Sequence, residues 1–131
     1  MAVAFPASPP LSFGIYQLDP SRWELRRRGI LIGLQQQPCR VLHLLASRPQ
    51  EVVSREEIRR LLWPGEVAGD FDLRINFCLA RVRDALGDDA DNPRFIRTVR
   101  GQGYCFLAPR LDLPVAPAAA PIAVERAQGW A

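Results

Sequence analysis

A chain of 131 residues with 48% hydrophobic and 24% charged residues has the composition of a globular protein and the length of one domain. Its formal charge of +3 makes it mildly basic, and all 17 basic side chains are Arg, whose planar fork suits phosphates and base edges better than an ammonium does. Cys39, Cys78 and Cys105 are odd in number and widely spaced, which argues against a disulfide framework or a structural zinc site, and no run approaches the roughly 18 apolar residues of a membrane span.

Residues 1–11 read as a disordered Ala/Pro-rich lead without the basic start of a signal peptide, so a soluble, cytoplasmic protein is expected. Extended runs at 12–18, 22–27 and 30–32 follow, divided by Asp19-Pro20-Ser21 and Arg28-Gly29. Turn residues at this spacing predict an antiparallel meander. A first helix is predicted with Pro38 at its opening position and Cys39, Leu42, Leu45 and Ala46 as its core face, ending before Pro49. Cys39 and His43 stand one turn apart, at metal-ligand spacing, but Cys39 falls on the apolar face and His43 is the only His. No metal site and no cofactor are expected.

Ser54 and Glu57 make a Ser-x-x-Glu capping box for a second helix whose Ile58, Leu61 and Leu62 face inward. Pro64, Gly65 and Gly69 then break residues 63–70 into a loop. The longest helix is predicted over about 70–86. At about 100° per residue, Phe71, Ile75, Cys78, Leu79, Val82, Ala85 and Leu86 share one arc, the core stripe. Asp70 or Asp72 can cap its start, and Gly87 suits a left-handed end. The opposite arc carries Leu73, Asn76, Phe77, Ala80 and Asp84, flanked by Arg74 and Arg81 on one side and Arg83 on the other. Guanidinium forks suit phosphates and guanine, an amide suits adenine, and small or apolar groups suit the thymine methyl. The arc therefore has the chemistry of a major-groove reading face. A solvated helix also carries charge there, and the helix alone leaves both readings open.

After an acidic turn at 88–92, β-rich runs at 95–99 and 103–107 flank Arg100-Gly101-Gln102, a hairpin signal. The Gly-x-Gly does not lie between a strand and a helix, which disfavours a nucleotide-binding loop. A hairpin tipped by Arg100 instead suits a narrow groove or a phosphate backbone. Residues 109–131 turn to Ala and Pro and read as a linker or tail.

The run Leu79-Ala80-Arg81-Val82-Arg83-Asp84-Ala85-Leu86-Gly87, followed by Ile96-Arg97-Thr98-Val99-Arg100-Gly101-Gln102-Gly103-Tyr104, resembles the signature of the OmpR/PhoB-type winged-helix DNA-binding domain. Val52-Val53-Ser54-Arg55-Glu56-Glu57-Ile58 and Leu62-Trp63-Pro64-Gly65 agree with that family in order and spacing, so the resemblance covers residues 12–108. It departs where Leu34 is followed by three Gln instead of the family's Leu-Thr. The resemblance implies an α+β fold, a winged helix-turn-helix with an N-terminal antiparallel sheet, three helices and a C-terminal β-hairpin wing. Double-stranded DNA is the implied partner and transcription regulation the implied function. The helix at about 70–86 would enter the major groove and the wing, about 95–107, would meet the adjacent minor groove. Arg81 falls at a base-reading position of the family and Arg100 on the wing, with Arg83 and Thr98 nearer phosphate. Arg55 and Trp63 match phosphate-contacting positions; Trp63 reads equally as a core or boundary aromatic, and Arg55 as a solvated charge. In the family the loop after the second helix can touch RNA polymerase, with no residue here to carry the role over.

The run from Leu86 to Ile96, Leu86-Gly87-Asp88-Asp89-Ala90-Asp91-Asn92-Pro93-Arg94-Phe95-Ile96, resembles the CadC-like branch, which puts this domain first and continues into a sensory, membrane or other domain. A phosphorylated receiver ahead of the domain is therefore not expected, and two alternatives stay open: a free-standing DNA binder, or the front of a longer protein with a further C-terminal domain. A monomer off DNA and head-to-tail copies on DNA are expected, because no heptad or second apolar helix face offers a dimer seam. The competing class is a winged-helix protein-interaction module anchored by Leu73 and Phe77, but the basic arc of Arg74, Arg81, Arg83 and Arg100 favours DNA. An enzyme is not expected, for want of a second His, a credible acid and base pair, or a nucleophile motif.

Overall fold

The computed structural model describes residues 9–66 and 69–112. Alternating apolar residues at its start fold into a four-stranded antiparallel sheet, in the order β1 (Leu11–Phe13), β2 (Tyr16–Asp19), β3 (Glu24–Arg27) and β4 (Ile30–Ile32). The first extended run is thus two strands, because Gly14 and Ile15 reverse the chain between the paired Phe13 and Tyr16. Leu11, Phe13, Tyr16, Leu18 and Leu25 point into the core.

Helix α1 (Gln36–Ala46) opens two residues earlier than predicted, so Pro38 occupies its third position. Proline is tolerated there because first-turn N–H groups have no partner within the helix. Helix α2 (Arg55–Leu62) has the predicted capping box: the Glu57 N–H donates to Ser54 Oγ and the Ser54 N–H to Glu57 Oε1, each at 3.1 Å. Its inward face is narrower than predicted, since Ile58 and Leu62 are buried but Leu61 is 39% exposed. In α3 (Phe71–Leu86) the Leu73 N–H donates to the Asp70 carboxylate at 3.0 Å, and Gly87 closes the helix in the left-handed region. Ile75, Cys78, Leu79, Val82 and Leu86 are buried, with Phe71 and Ala85 packed partly against the core, as the helical wheel requires.

The hairpin forms from β6 (Ile96–Val99) and β7 (Gly103–Phe106). A strand not foreseen from the sequence, β5 (Val52–Ser54), pairs with the other side of β7, giving a sheet ordered β5-β7-β6. Gly103 makes this possible, because a Cβ there would lie 2.0 Å from the Val53 carbonyl oxygen. An aromatic cluster joins the two sheets: Phe13 meets Phe106 edge-on at 5.0 Å, and Tyr16 meets Phe95 at 5.6 Å. The Tyr16 hydroxyl also donates to the Leu86 carbonyl at 3.0 Å, satisfying a group left open at the end of α3.

Both expected domain boundaries shift outward. Leu11 is buried in β1 rather than part of the lead. Residues assigned to the tail are fastened to the domain: the Leu111 N–H donates to the Ser12 carbonyl at 2.7 Å and the Ser12 N–H to Asp112 Oδ1 at 2.9 Å. Arg110 pairs with Asp112 and donates to the Ala46 carbonyl at 3.1 Å. Most of the expected lead, the tail beyond Asp112 and loop positions 67–68 lie outside the described residues. Among the described residues no helix is long and apolar enough to cross a membrane.

Candidate nucleic-acid interface

Because α3 commits one face to the core, its opposite face is left to solvent. Leu73 is 64% and Phe77 52% exposed, and Asn76, Ala80, Arg81 and Asp84 are exposed beside them. The Arg81 guanidinium lies 5.4 Å over the Phe77 ring and 3.8 Å from the Asp84 carboxylate. Exposed contacts of this kind hold a side chain weakly, so Arg81 is free to exchange them for another acceptor.

The other arginines assigned to this face behave differently. Arg74 does not flank the arc. It pairs with Glu66 at 3.1 Å and lies 5.4 Å over the rings of both Trp63 and Phe71, on the side of the loop that follows α2. The wheel gave Arg74 and Arg81 nearly one angle, but seven residues separate them by about 10 Å along the axis, and only Arg74 is within reach of Glu66. Arg83 turns toward the wing, where its Nη2 donates to the Ile96 carbonyl at 3.1 Å and to Thr98 Oγ1 at 3.0 Å. Its buried Nε has no hydrogen-bond partner among the described residues. Thr98 and Arg83 thus brace each other.

Arg55 is half-buried and not a free charge. Its Nε donates to Asp72 Oδ1, and its Nη2 to the Asp72 carbonyl and to Asn76 Oδ1, each at 3.1 Å. Its Nη1 donates to the Tyr104 hydroxyl, and the guanidinium lies 5.7 Å over that ring. Four of the five N–H donors of a guanidinium are then engaged within the protein. Trp63 is buried at the end of α2, 6% exposed and packed on Phe71 at 5.8 Å.

Arg100 stands exposed at the hairpin turn, without an ion pair or hydrogen bond to its side chain among the described residues. A cleft of about 450 Å³ opens between the first turn of α2 and the hairpin, lined by Arg55, Glu56, Thr98, Arg100, Gln102 and Tyr104. Asp88 fixes the hairpin's approach to α3 by accepting from the backbone N–H groups of Arg94, Phe95 and Ile96 at 2.7, 3.3 and 2.9 Å. Sequence reasoning missed Asp72, Asp88 and Tyr104 as the groups that set this geometry. Asp72 and Tyr104 lie 17 and 49 residues from Arg55, and no local pattern marks them. At the Cys39 and His43 pair, burial pushes the thiol up to about 12 and lowers the imidazole, which sits edge-on to Trp23 at 5.4 Å. A thiol held protonated is a poor metal ligand.

Residues 29–106 match the family described as "Transcriptional regulatory protein, C terminal". The transcriptional regulatory protein AfsQ1 of Streptomyces coelicolor is 36% identical over 103 residues, spanning 79% of this chain and 43% of AfsQ1. The DNA-binding domain of CpxR from E. coli is similar in structure, with a TM-score of 0.65 at 31% identity over 76% of this chain and 97% of that one. The RstA DNA-binding domain of Klebsiella pneumoniae, solved in complex with the RstA box, gives 0.64 at 26% identity over 75% of this chain and 96% of that one. The chain spans less than half the length of the curated relatives it matches.

Proposed function

The chain belongs to the OmpR/PhoB-type winged-helix family of transcriptional regulatory proteins, and on that premise we propose that it binds double-stranded DNA sequence-specifically and regulates transcription. The observation that carries the reading is the outer face of α3. Asn76, Phe77, Ala80 and Arg81 present donors, an acceptor, a methyl and an apolar ring from a helix whose other face is locked in the core. That is the set of groups that distinguishes base pairs in the major groove. The wing then meets the adjacent minor groove through Arg100, where a narrow groove focuses negative potential. Arg83 and Thr98 keep a part near phosphate, since among the described residues only Nη2 of Arg83 is hydrogen-bonded. Arg74 and Trp63 support the start of α3 from behind.

By family resemblance, the loop after α2 is the surface for RNA polymerase, and the run from Leu86 to Ile96 favours the CadC-like arrangement. The greater length of the relatives supports a further domain in the complete protein. The chain is monomeric off DNA and occupies DNA as head-to-tail copies about 10 bp apart.

Selection of bound sequences from random duplex DNA, followed by affinity measurements at two salt concentrations, tests the proposal. An enriched site is expected. With roughly five or six phosphate contacts, affinity falls on the order of a thousandfold between about 50 and 200 mM salt. No enrichment together with flat salt dependence would overturn it, and would direct attention to Leu73 and Phe77 as anchors for a protein partner.

A further inference from the structure

Asn76 is the one amide on the reading face, and amides facing the major groove ordinarily pair with adenine by using both ends, the oxygen toward N6 and the nitrogen toward N7. Here one end is already engaged. The Arg55 guanidinium approaches the Asn76 amide to 3.1 Å, and a guanidinium carries five donors and no acceptor. Whatever amide atom faces it must therefore be oxygen. The fork cannot readily swing away: Asp72 holds it through carboxylate and carbonyl, and Tyr104 holds it through hydroxyl and ring. Tyr104 is itself 5% exposed, so the clamp is anchored in the wing sheet.

We propose that Arg55 is a positioning residue that fixes the polarity of Asn76, so that Asn76 offers its two amide N–H groups to the groove and selects guanine over adenine. Guanine presents two acceptors there, O6 and N7, whereas adenine sets an N6 donor against the outward-facing NH2. The inference rests on α3 reading DNA. It also assigns Arg55 a task other than neutralising phosphate, because Asp72 already balances its charge at 3.1 Å.

Site selection with the 131-residue chain and its variants tests this. Asn76→Ala identifies the base position that Asn76 reads. Guanine is expected there in the parent protein, favoured over adenine by about tenfold, the lower range for a bidentate contact. Asn76→Asp, which removes the donors, should transfer the preference at that position to a base presenting a donor, cytosine above all. Arg55→Met paired with Asp72→Asn frees the amide without leaving a lone charge, and should erase or reverse the guanine preference while the salt slope stays unchanged.

Adenine at that position in the parent would overturn the inference, as would a guanine preference that survives loss of Arg55. A salt slope reduced by about one in the double variant would return Arg55 to the phosphate backbone and overturn it also. If Asn76→Ala alters no position while Arg81→Ala does, the inference fails and DNA reading stands; if the parent enriches no sequence, DNA reading itself has failed. Should the double variant melt early, the parent, Asn76→Ala and Asn76→Asp selections still test the polarity, and adenine at that position overturns the inference.

Discussion

Arg83 reaches from α3 to Thr98 on the wing, donating from one Nη2 to the Thr98 hydroxyl at 3.0 Å and to the Ile96 carbonyl at 3.1 Å. The two parts proposed to enter neighbouring grooves are thereby fixed relative to each other by a single side chain. Arg83→Met keeps the apolar stem but leaves both acceptors without their donor. A stability loss of about 1–3 kcal/mol is expected by denaturant unfolding. Affinity for the selected site should fall with no change in preference at any single base position; a base-specific change would make Arg83 a reader.

The wing sheet closes only because β5 passes over Gly103. Gly103→Ala sets a methyl against the Val53 carbonyl, at 2.0 Å before any adjustment, from a residue with φ of +152°. Backbone has to move, and a loss of at least about 2–3 kcal/mol is expected. Gly101→Ala, at φ +72° with nothing within 4 Å, meets only the left-handed penalty of about 1–2 kcal/mol. Thermal melts of the pair check the order.

Phe77 is 52% exposed, its ring covered by Arg81 rather than by core residues. Phe77→Ala should therefore leave stability within about 0.5 kcal/mol of the parent, against the 3–5 kcal/mol roughly expected for a buried ring. Discrimination between the selected site and random DNA should drop. An intact melt with unchanged DNA binding would assign Phe77 to a protein partner instead.

Arg81 carries the freest guanidinium on α3, held by one contact of 3.8 Å and one exposed ring. Arg81→Ala should cost about 1–3 kcal/mol of binding and relax one position of the site. Binding weakened equally across all sequences would move Arg81 to the phosphate backbone.

The clasp at the domain's end gives a pH signature. Arg110 and the Ser12 N–H hold the Asp112 carboxyl down to about 2, below its ordinary 3.8. A carboxyl lowered on folding stabilises the fold fully above its unfolded value, and that contribution is lost as the pH falls through the folded one. Asp112→Asn should thus be less stable than the parent near neutral pH. The gap should narrow below pH 3.8 and close as the pH falls through about 2. Denaturant melts of both proteins over that range measure it, the remaining carboxylates cancelling in the difference.

Periodicity and capping were legible in the sequence because they involve residues within a turn or two of one another. The buried stripe from Ile75 to Leu86, the Ser54 and Glu57 box, the Gly87 stop and the hairpin about Gly101 all belong to that class. Family resemblance then arranged those elements as a winged helix. What each arginine does was decided only by tertiary structure. Arg74 and Arg81 share a wheel angle, yet Glu66 draws one back to the loop and leaves the other outward. Arg55 and Arg83 look like surface charges until Asp72, Tyr104, Ile96 and Thr98 come within reach of them across 13 to 49 residues. The strand β5 depends on β7, and the fastening of Arg110 and Asp112 depends on β1 about 100 residues away. A guanidinium at the end of a long flexible stem takes the best acceptors that the folded surface provides, and their identity is set by chain crossings that no local pattern encodes.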